Sequence, residues 1–123
     1  MEIDTSIIKK RIKNTLSVDR ILSFLPDKKV YFIHANNPNA PYVEYQTYKT
    51  VPSYYEEGTI KEINYKVQVD IFSYGDYTDI ETIIINEMLS AGFEYDPGSP
   101  DLYEEKTKLY HKPLRFNIDL KPS

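Results

Sequence analysis

The side chains best able to do chemistry in this chain are few. There are two histidines, His34 and His111, and no cysteine among 123 residues. Both histidines fall in stretches that read as strands. A zinc site needs three or four ligands drawn from histidine, cysteine and carboxylate at a workable spacing. Two histidines without a third ligand at a defined spacing do not meet that need, so they read as surface or interface residues. The patterns G-x-S-x-G and H-E-x-x-H are missing, and four glycines spread widely along the chain cannot build a phosphate-cradling loop. Asp76, Asp79 and Glu81 form an acidic cluster with a plainer use. They lie in a turn and in the first turn of a following helix, where carboxylates interact favourably with the helix N-terminus. The ligand count and spacing of a calcium-binding loop are not there.

One pattern does point to a reaction. Pro100-Asp101 is followed by Glu104-Glu105-Lys106, which is similar to the proline–aspartate and E-x-K elements of a family of metal-dependent nucleases. In that family the two elements lie on neighbouring strands, so both can reach one magnesium ion while the lysine assists the attacking water. Here two residues separate Asp101 from Glu104, too few for a strand turn. A small nuclease using Asp101, Glu105 and Lys106 is therefore the unfavoured alternative. The expectation is a protein that is not an enzyme, with no catalytic residue, no metal and no cofactor.

The elements that hold these residues are easier to read. Between residues 62 and 73, Ile63, Tyr65, Val67, Val69 and Ile71 alternate with Asn64, Lys66, Gln68 and Asp70. A period of two over that length is a long strand with one buried face. A turn at Ser73-Tyr74-Gly75-Asp76 ends it. A helix follows over 78–91, with Thr78 as N-cap, Glu81 completing a capping box, and Ile80, Ile83, Ile84, Met88 and Ala91 as its apolar stripe. Gly92 is its expected left-handed terminator.

Upstream, Asp4 or Thr5 can cap a helix carrying Ile8, Ile12 and Leu16. Ser17 can restart it with Val18, Ile21, Leu22 and Leu25 on one face before Pro26 ends it, so 4–25 is one helix or two. Residues 30–34 and 42–49 read as strands joined by a turn-rich segment. From Thr50 to Thr59 the alternation fails, which predicts a long hairpin loop carrying the adjacent aromatics Tyr54 and Tyr55. A short strand at 93–95 and a turn at 96–100 precede a final strand over 109–120, where Pro113 predicts an edge or a bulge. The fold class expected is α+β. It comprises a mostly antiparallel sheet of about four strands with an N-terminal helix and the 78–91 helix packed on it, in the order α-β-β-β-α-β. One domain over 1–123 is expected, with a helical segment over 1–26 and an α/β core over 29–120.

A domain of this length buries roughly two-thirds of its unfolded surface and needs neither metal nor disulfide to fold. The net charge of −4 argues against a general nucleic-acid binder. No apolar run approaches the roughly 20 residues of a membrane span. Met1-Glu2-Ile3-Asp4 lacks the layout of a signal peptide, so a soluble protein made in the cytoplasm is expected. Twelve tyrosines against no tryptophan suit half-buried strands and interfaces alike.

Four segments carry a resemblance. They are Pro41-Tyr42-Val43, then Tyr65-Lys66-Val67-Gln68-Val69-Asp70-Ile71-Phe72-Ser73, then Met88-Leu89-Ser90-Ala91-Gly92-Phe93, and finally Leu109-Tyr110-His111-Lys112-Pro113-Leu114-Arg115-Phe116. In this order, over roughly residues 30–120, the chain resembles the tail-terminator, or tail-completion, proteins of long-tailed bacteriophages and prophages. The resemblance implies a small α/β fold with a mostly antiparallel sheet flanked by helices. It also implies a ring, commonly a hexamer, in the virion tail, assembled after synthesis in the bacterial host cytoplasm. That ring caps the head-proximal end of the tail tube and meets the head–tail connector proteins. A head-completion or neck protein of the same particle is the close alternative. The family offers no catalytic residues to carry over.

The contact candidates come from the chain itself. They are Tyr54 and Tyr55 in the predicted loop, Lys66 and Gln68 on the polar face of the long strand, and His111 and Arg115 on the last strand. Lys9, Lys10 and Lys13 on the first helix complete the set. A ring subunit meets its neighbours through two different patches, each of roughly 800 Å² per partner. The expected partners are copies of itself, tail tube protein and connector proteins, with no membrane and no specific nucleic acid. The polar face of the long strand, Asn64, Lys66, Gln68 and Asp70 joined by Phe72, is expected to be exposed to the next subunit.

Overall fold

The computed structural model describes residues 3–122. Met1 and Glu2, part of the expected non-signal N-terminus, and Ser123, the end of the expected domain, lie outside the described residues. The N-terminal segment is two helices, α1 (Thr5–Leu16) and α2 (Asp19–Leu22). The Asp4 carboxylate caps α1 by accepting from the Ser6 N–H at 2.9 Å and the Ser6 hydroxyl at 2.7 Å. Val18 then takes an extended conformation that separates the two helices. Ile8, Ile12, Leu16 and Ile21 are buried as a continuous apolar stripe.

Among the described residues six strands follow: β1 (Tyr31–Phe32), β2 (Tyr42–Glu56), β3 (Thr59–Ser73), β4 (Glu94–Asp96), β5 (Leu102–Glu104) and β6 (Leu109–Leu120), with α3 (Thr78–Ser90) between β3 and β4. The class is α+β, as expected, but the sheet has six strands rather than about four and is mixed. Its order is β1-β2-β3-β6-β4, with β5 also on β6. β1 lies parallel to β2, while the other pairings are antiparallel. β1 is shorter than the expected 30–34, and β5 is an extra strand; elements of two or three residues have no periodicity to announce them.

The largest correction concerns residues 50–59. They are not a loop. β2 and β3 continue as a hairpin to a two-residue turn at Glu57-Gly58, whose φ values of 51° and 77° are the paired left-handed geometry of a tight hairpin. Register shifts occur at Tyr48, Ser53 and Lys61. Each extra residue inverts the inside–outside alternation, which explains why the sequence pattern fails there.

β6 pairs with β3 from Tyr110 to Leu120 without a register shift, so Pro113 causes no bulge. On the other side β6 holds β5 at residues 109–111 and β4 at 115–117. Pro113 falls in the gap between them, where a missing N–H leaves no ladder partner unsatisfied.

At the start of α3 the expected cap is also corrected. Thr78 is the first helical residue and Tyr77 the N-cap, without a side-chain cap bond; Asp76 before it supplies the acceptor, its Oδ1 taking the Thr78 N–H at 2.8 Å and the Thr78 hydroxyl at 2.6 Å. At the other end, Gly92 at φ 97° lets the Phe93 N–H reach the Met88 carbonyl and its own N–H reach Leu89. Arg11 donates to the Ala91 carbonyl at 2.9 Å, tying α1 to this C-terminus with a cation where the helix dipole favours one.

Two layers result. The buried side chains of all three helices join Val43, Tyr45, Ile63, Tyr65, Val67, Val69, Ile71, Leu114, Phe116 and Ile118 in one core. Ile60 and Leu120 pack at its margin, while Asn64, Lys66, Gln68, Asp70 and Phe72 of β3 and His111, Pro113, Arg115, Asn117 and Asp119 of β6 alternate onto the other face. No helix among the described residues is long and apolar enough to cross a membrane.

Candidate functional site

The face of the sheet opposite the helices is organised in rows set by strand register. Tyr42, Phe72 and His111 form one row; Glu44, Asp70 and Pro113 the next; Gln46, Gln68, Arg115 and Asp96 the third. In the first row the rings stack, with Tyr42 and Phe72 centroids 4.7 Å apart and Phe72 and His111 4.3 Å apart. Stacking fixes the imidazole, and its Nε2 meets Asp70 Oδ1 at 2.7 Å. The same oxygen accepts from Gln68 Nε2 at 2.9 Å, and Gln68 Oε1 accepts from Arg115 Nε at 3.1 Å. Arg115 lies 5.1 Å over the Tyr48 ring. Further along, Asn64 donates to Asn117 and Asp119, and Asn117 donates to Asp96.

Three expected contact residues, Gln68, His111 and Arg115, are thus brought into one hydrogen-bonded group. Lys66 sits half-buried one row away, between Lys49 and Asn117. The expectation of an exposed polar face is corrected: Asp70 is only 6% exposed, enclosed by its neighbours in register, and Asn64, Lys66, Gln68 and Phe72 are half-buried against theirs. The alternation at 62–73 already places Asp70 and Phe72 on this face. The part of Glu44 and Tyr42 carries no such signal, because it depends on which strands pair.

Glu44 stands directly across from Asp70. Burial raises the Glu44 carboxyl above its usual range, the Ala35 N–H at 2.8 Å opposes that, and the charge of Asp70 adds to it. A carboxyl with a raised folded-state value is neutral in both states at low pH and carries no penalty there. The cost of ionising it in the fold enters as pH rises. Glu44→Gln retains an acceptor for Ala35 and removes the charge. It is therefore expected to stabilise the protein near pH 7 by a few tenths to about 1 kcal/mol. The advantage should vanish below about pH 4, where glutamate is protonated in either state. Urea unfolding at both pH values checks this; a variant less stable than wild type near neutrality contradicts it.

The remaining candidates lie elsewhere. Lys9, Lys10 and Lys13 are exposed on α1, and Lys9 sits 5.3 Å over Phe32. Tyr54 and Tyr55 are 52% and 57% exposed on the β2–β3 hairpin. Beyond Ile63, where pairing with β6 stops, that hairpin is hydrogen-bonded as a two-strand ladder, with Ile60 packed against the core.

The nuclease-like residues are not gathered into one constellation. Asp101 accepts from the Tyr77 hydroxyl and has Lys112 Nζ 3.6 Å away. Glu104 is on β5, whereas Glu105 and Lys106 lie in the β5–β6 turn, where Glu105 is 3.8 Å from Lys108. The Tyr77 bond, then Lys112, holds the Asp101 carboxyl below its usual value. Burial first, then Asp101, raises the Tyr77 phenol well above its own. Among the described residues, no group of three or more His, Cys, Asp or Glu side chains is arranged to hold a metal ion. The open face carries hydrogen-bonded polar groups and stacked rings, with Asn64 Oδ1 the one buried side-chain oxygen or nitrogen among the described residues left without a partner. No family model matches the chain, and no curated protein matches it significantly.

Proposed function

We propose that this chain is a structural protein of a tailed bacteriophage or prophage that completes the tail. Copies form a ring, commonly hexameric in the family it resembles, on the head-proximal end of the tail tube and present a surface to the head–tail connector proteins. The observation that carries the reading is the β2–β3 hairpin, which runs past the last residue paired by β6 and exposes Tyr54 and Tyr55. A projecting two-stranded arm with adjacent aromatics is a means of gripping another protein, since tyrosine is an enriched interface anchor. The order of the four resembling segments supports the same reading, and the polar face carrying Gln68, His111 and Arg115 supplies a second contact surface. Neither requires a reaction.

Light scattering across concentration, with and without tail-tube protein, tests this. The expected result is a ring-sized assembly that binds tube ends and stops their growth. A strict monomer that never binds tubes contradicts it. Binding to connector protein but not to tubes assigns the head-completion role instead.

A further inference from the structure

We propose that copies of this chain join head to tail through opposite edges of the sheet, the basic edge at α1 and β1 docking on the acidic, tyrosine-lined edge at β5 of the next copy. This rests on the self-assembly reading above and names the surfaces it uses.

The two edges differ in charge yet both expose apolar groups. At the β1 edge, Phe32 and Ile33 are 46% and 53% exposed. Cations surround them: Lys9 lies 5.3 Å over Phe32, Lys29 lies 4.9 Å over Tyr31, and Lys28 is exposed beside it. Two carboxylates of this edge are already engaged: Asp27 accepts from the Tyr31 hydroxyl and from the backbone and side chain of Asn39, and Glu44 accepts from the Ala35 N–H.

At the far edge, an open depression of about 600 Å³ is lined by Tyr74, Tyr77 and Tyr110 together with Asp76, Glu81 and Asp101. Tyr103 packs 5.0 Å from Tyr110, and it and Leu102 are exposed at the rim. Of the lysines nearby, Lys112 is buried and donates to the Ser99 carbonyl at 2.7 Å, Lys108 is near Glu105, and Lys106 is exposed in the β5–β6 turn beside Glu104 and Glu105. Aromatic faces beside carboxylates form a receptor for cationic side chains, and cation–π contacts strengthen on desolvation. The chain carries matching cations, with apolar groups between them, on the opposite side of its own sheet.

A second copy is therefore the occupant with complementary charge. Contact between two unlike patches is heterologous, and it closes into a ring where the rotation per step allows. β1 and β5 are two and three residues long, so the contact is made by side chains rather than by extending the ladder.

The test uses two variants of the full chain. Lys9→Ser with Lys29→Ser removes the charge of the basic edge, and Tyr74→Ser with Glu104→Gln alters the acidic one. All four positions are exposed, and circular dichroism checks that the fold is kept. In sedimentation velocity, with and without tail-tube protein, each variant alone is expected to associate about tenfold or more weakly than wild type. An equal mixture should form a dimer that grows no further, because each partner keeps one working edge. Added salt should weaken wild-type association, since the charges are exposed.

Variants that assemble as wild type does overturn the edge contact and leave the tail reading in place. A wild-type oligomer, sensitive to both variants, that ignores tubes keeps the contact and removes the tail reading. Wild type that stays monomeric in every condition, with no dimer in the mixture, removes both.

Discussion

Phe116→Ala is expected to lower the unfolding free energy by about 3–5 kcal/mol and the thermal midpoint by on the order of 10–20 °C. Phe116 is fully buried at the middle of β6, and three strands meet at it. Val67 of β3 lies opposite on one side. On the other is Tyr95 of β4, whose ring centroid is 5.3 Å away at a tilt of 38°. Leu114 and Ile118, two residues to either side, share its face and join the same core as α1 and α3. Truncation leaves a cavity whose walls belong to a sheet and two helices locked by their own hydrogen bonds, so collapse around it is limited. A domain of ordinary stability has about 5–15 kcal/mol to lose, so the variant should sit close to the unfolding threshold. Phe116→Leu keeps most of the volume and should cost far less. Denaturant unfolding of the three proteins side by side checks both statements; equal midpoints for wild type and the alanine variant would contradict them.

Leu114, Phe116, Ile118 and Leu120 alternate with Arg115, Asn117 and Asp119, so the sequence marks Phe116 as inward in the same way as the residues of 62–73. Where alternation survives, one face faces the core, and both strands were found on that basis. Where the backbone inserts an extra residue, the pattern inverts, and Tyr48, Ser53 and Lys61 broke it three times within one hairpin. Pro52 added to the misreading. It is tolerated because β1 pairs β2 only at Glu44 and Tyr45, leaving the rest of that side of β2 an edge. The capping of α3 went astray for a different reason. Thr78 and Glu81 match a capping box, but Asp76, two residues earlier, is the acceptor for both the backbone N–H and the Thr78 hydroxyl. The site had least local signal. Asp70 is buried because Glu44, Pro113 and His111 surround it, and those neighbours come from strands that only the pairing order brings together.

Tyr54→Ser with Tyr55→Ser is expected to leave folding nearly untouched and to weaken assembly by about a hundredfold or more. The two halves of that statement come from one geometry. Both rings are more than half exposed, and the arm that carries them extends beyond the partner strand β6. The folded monomer therefore gains little from them, and surface changes of this kind usually stay within about 0.5 kcal/mol. An interface gains much more, because a tyrosine that becomes buried against a partner commonly contributes about 2 kcal/mol or more. Two adjacent anchors on an arm stiffened by a ladder and a tight turn lose little conformational freedom on docking, which raises their effect further. Equal urea midpoints together with lost tube binding would place the grip on the arm. Tube binding at wild-type strength by the double variant would move it to the polar sheet face, where Gln68, His111 and Arg115 already stand in one connected group.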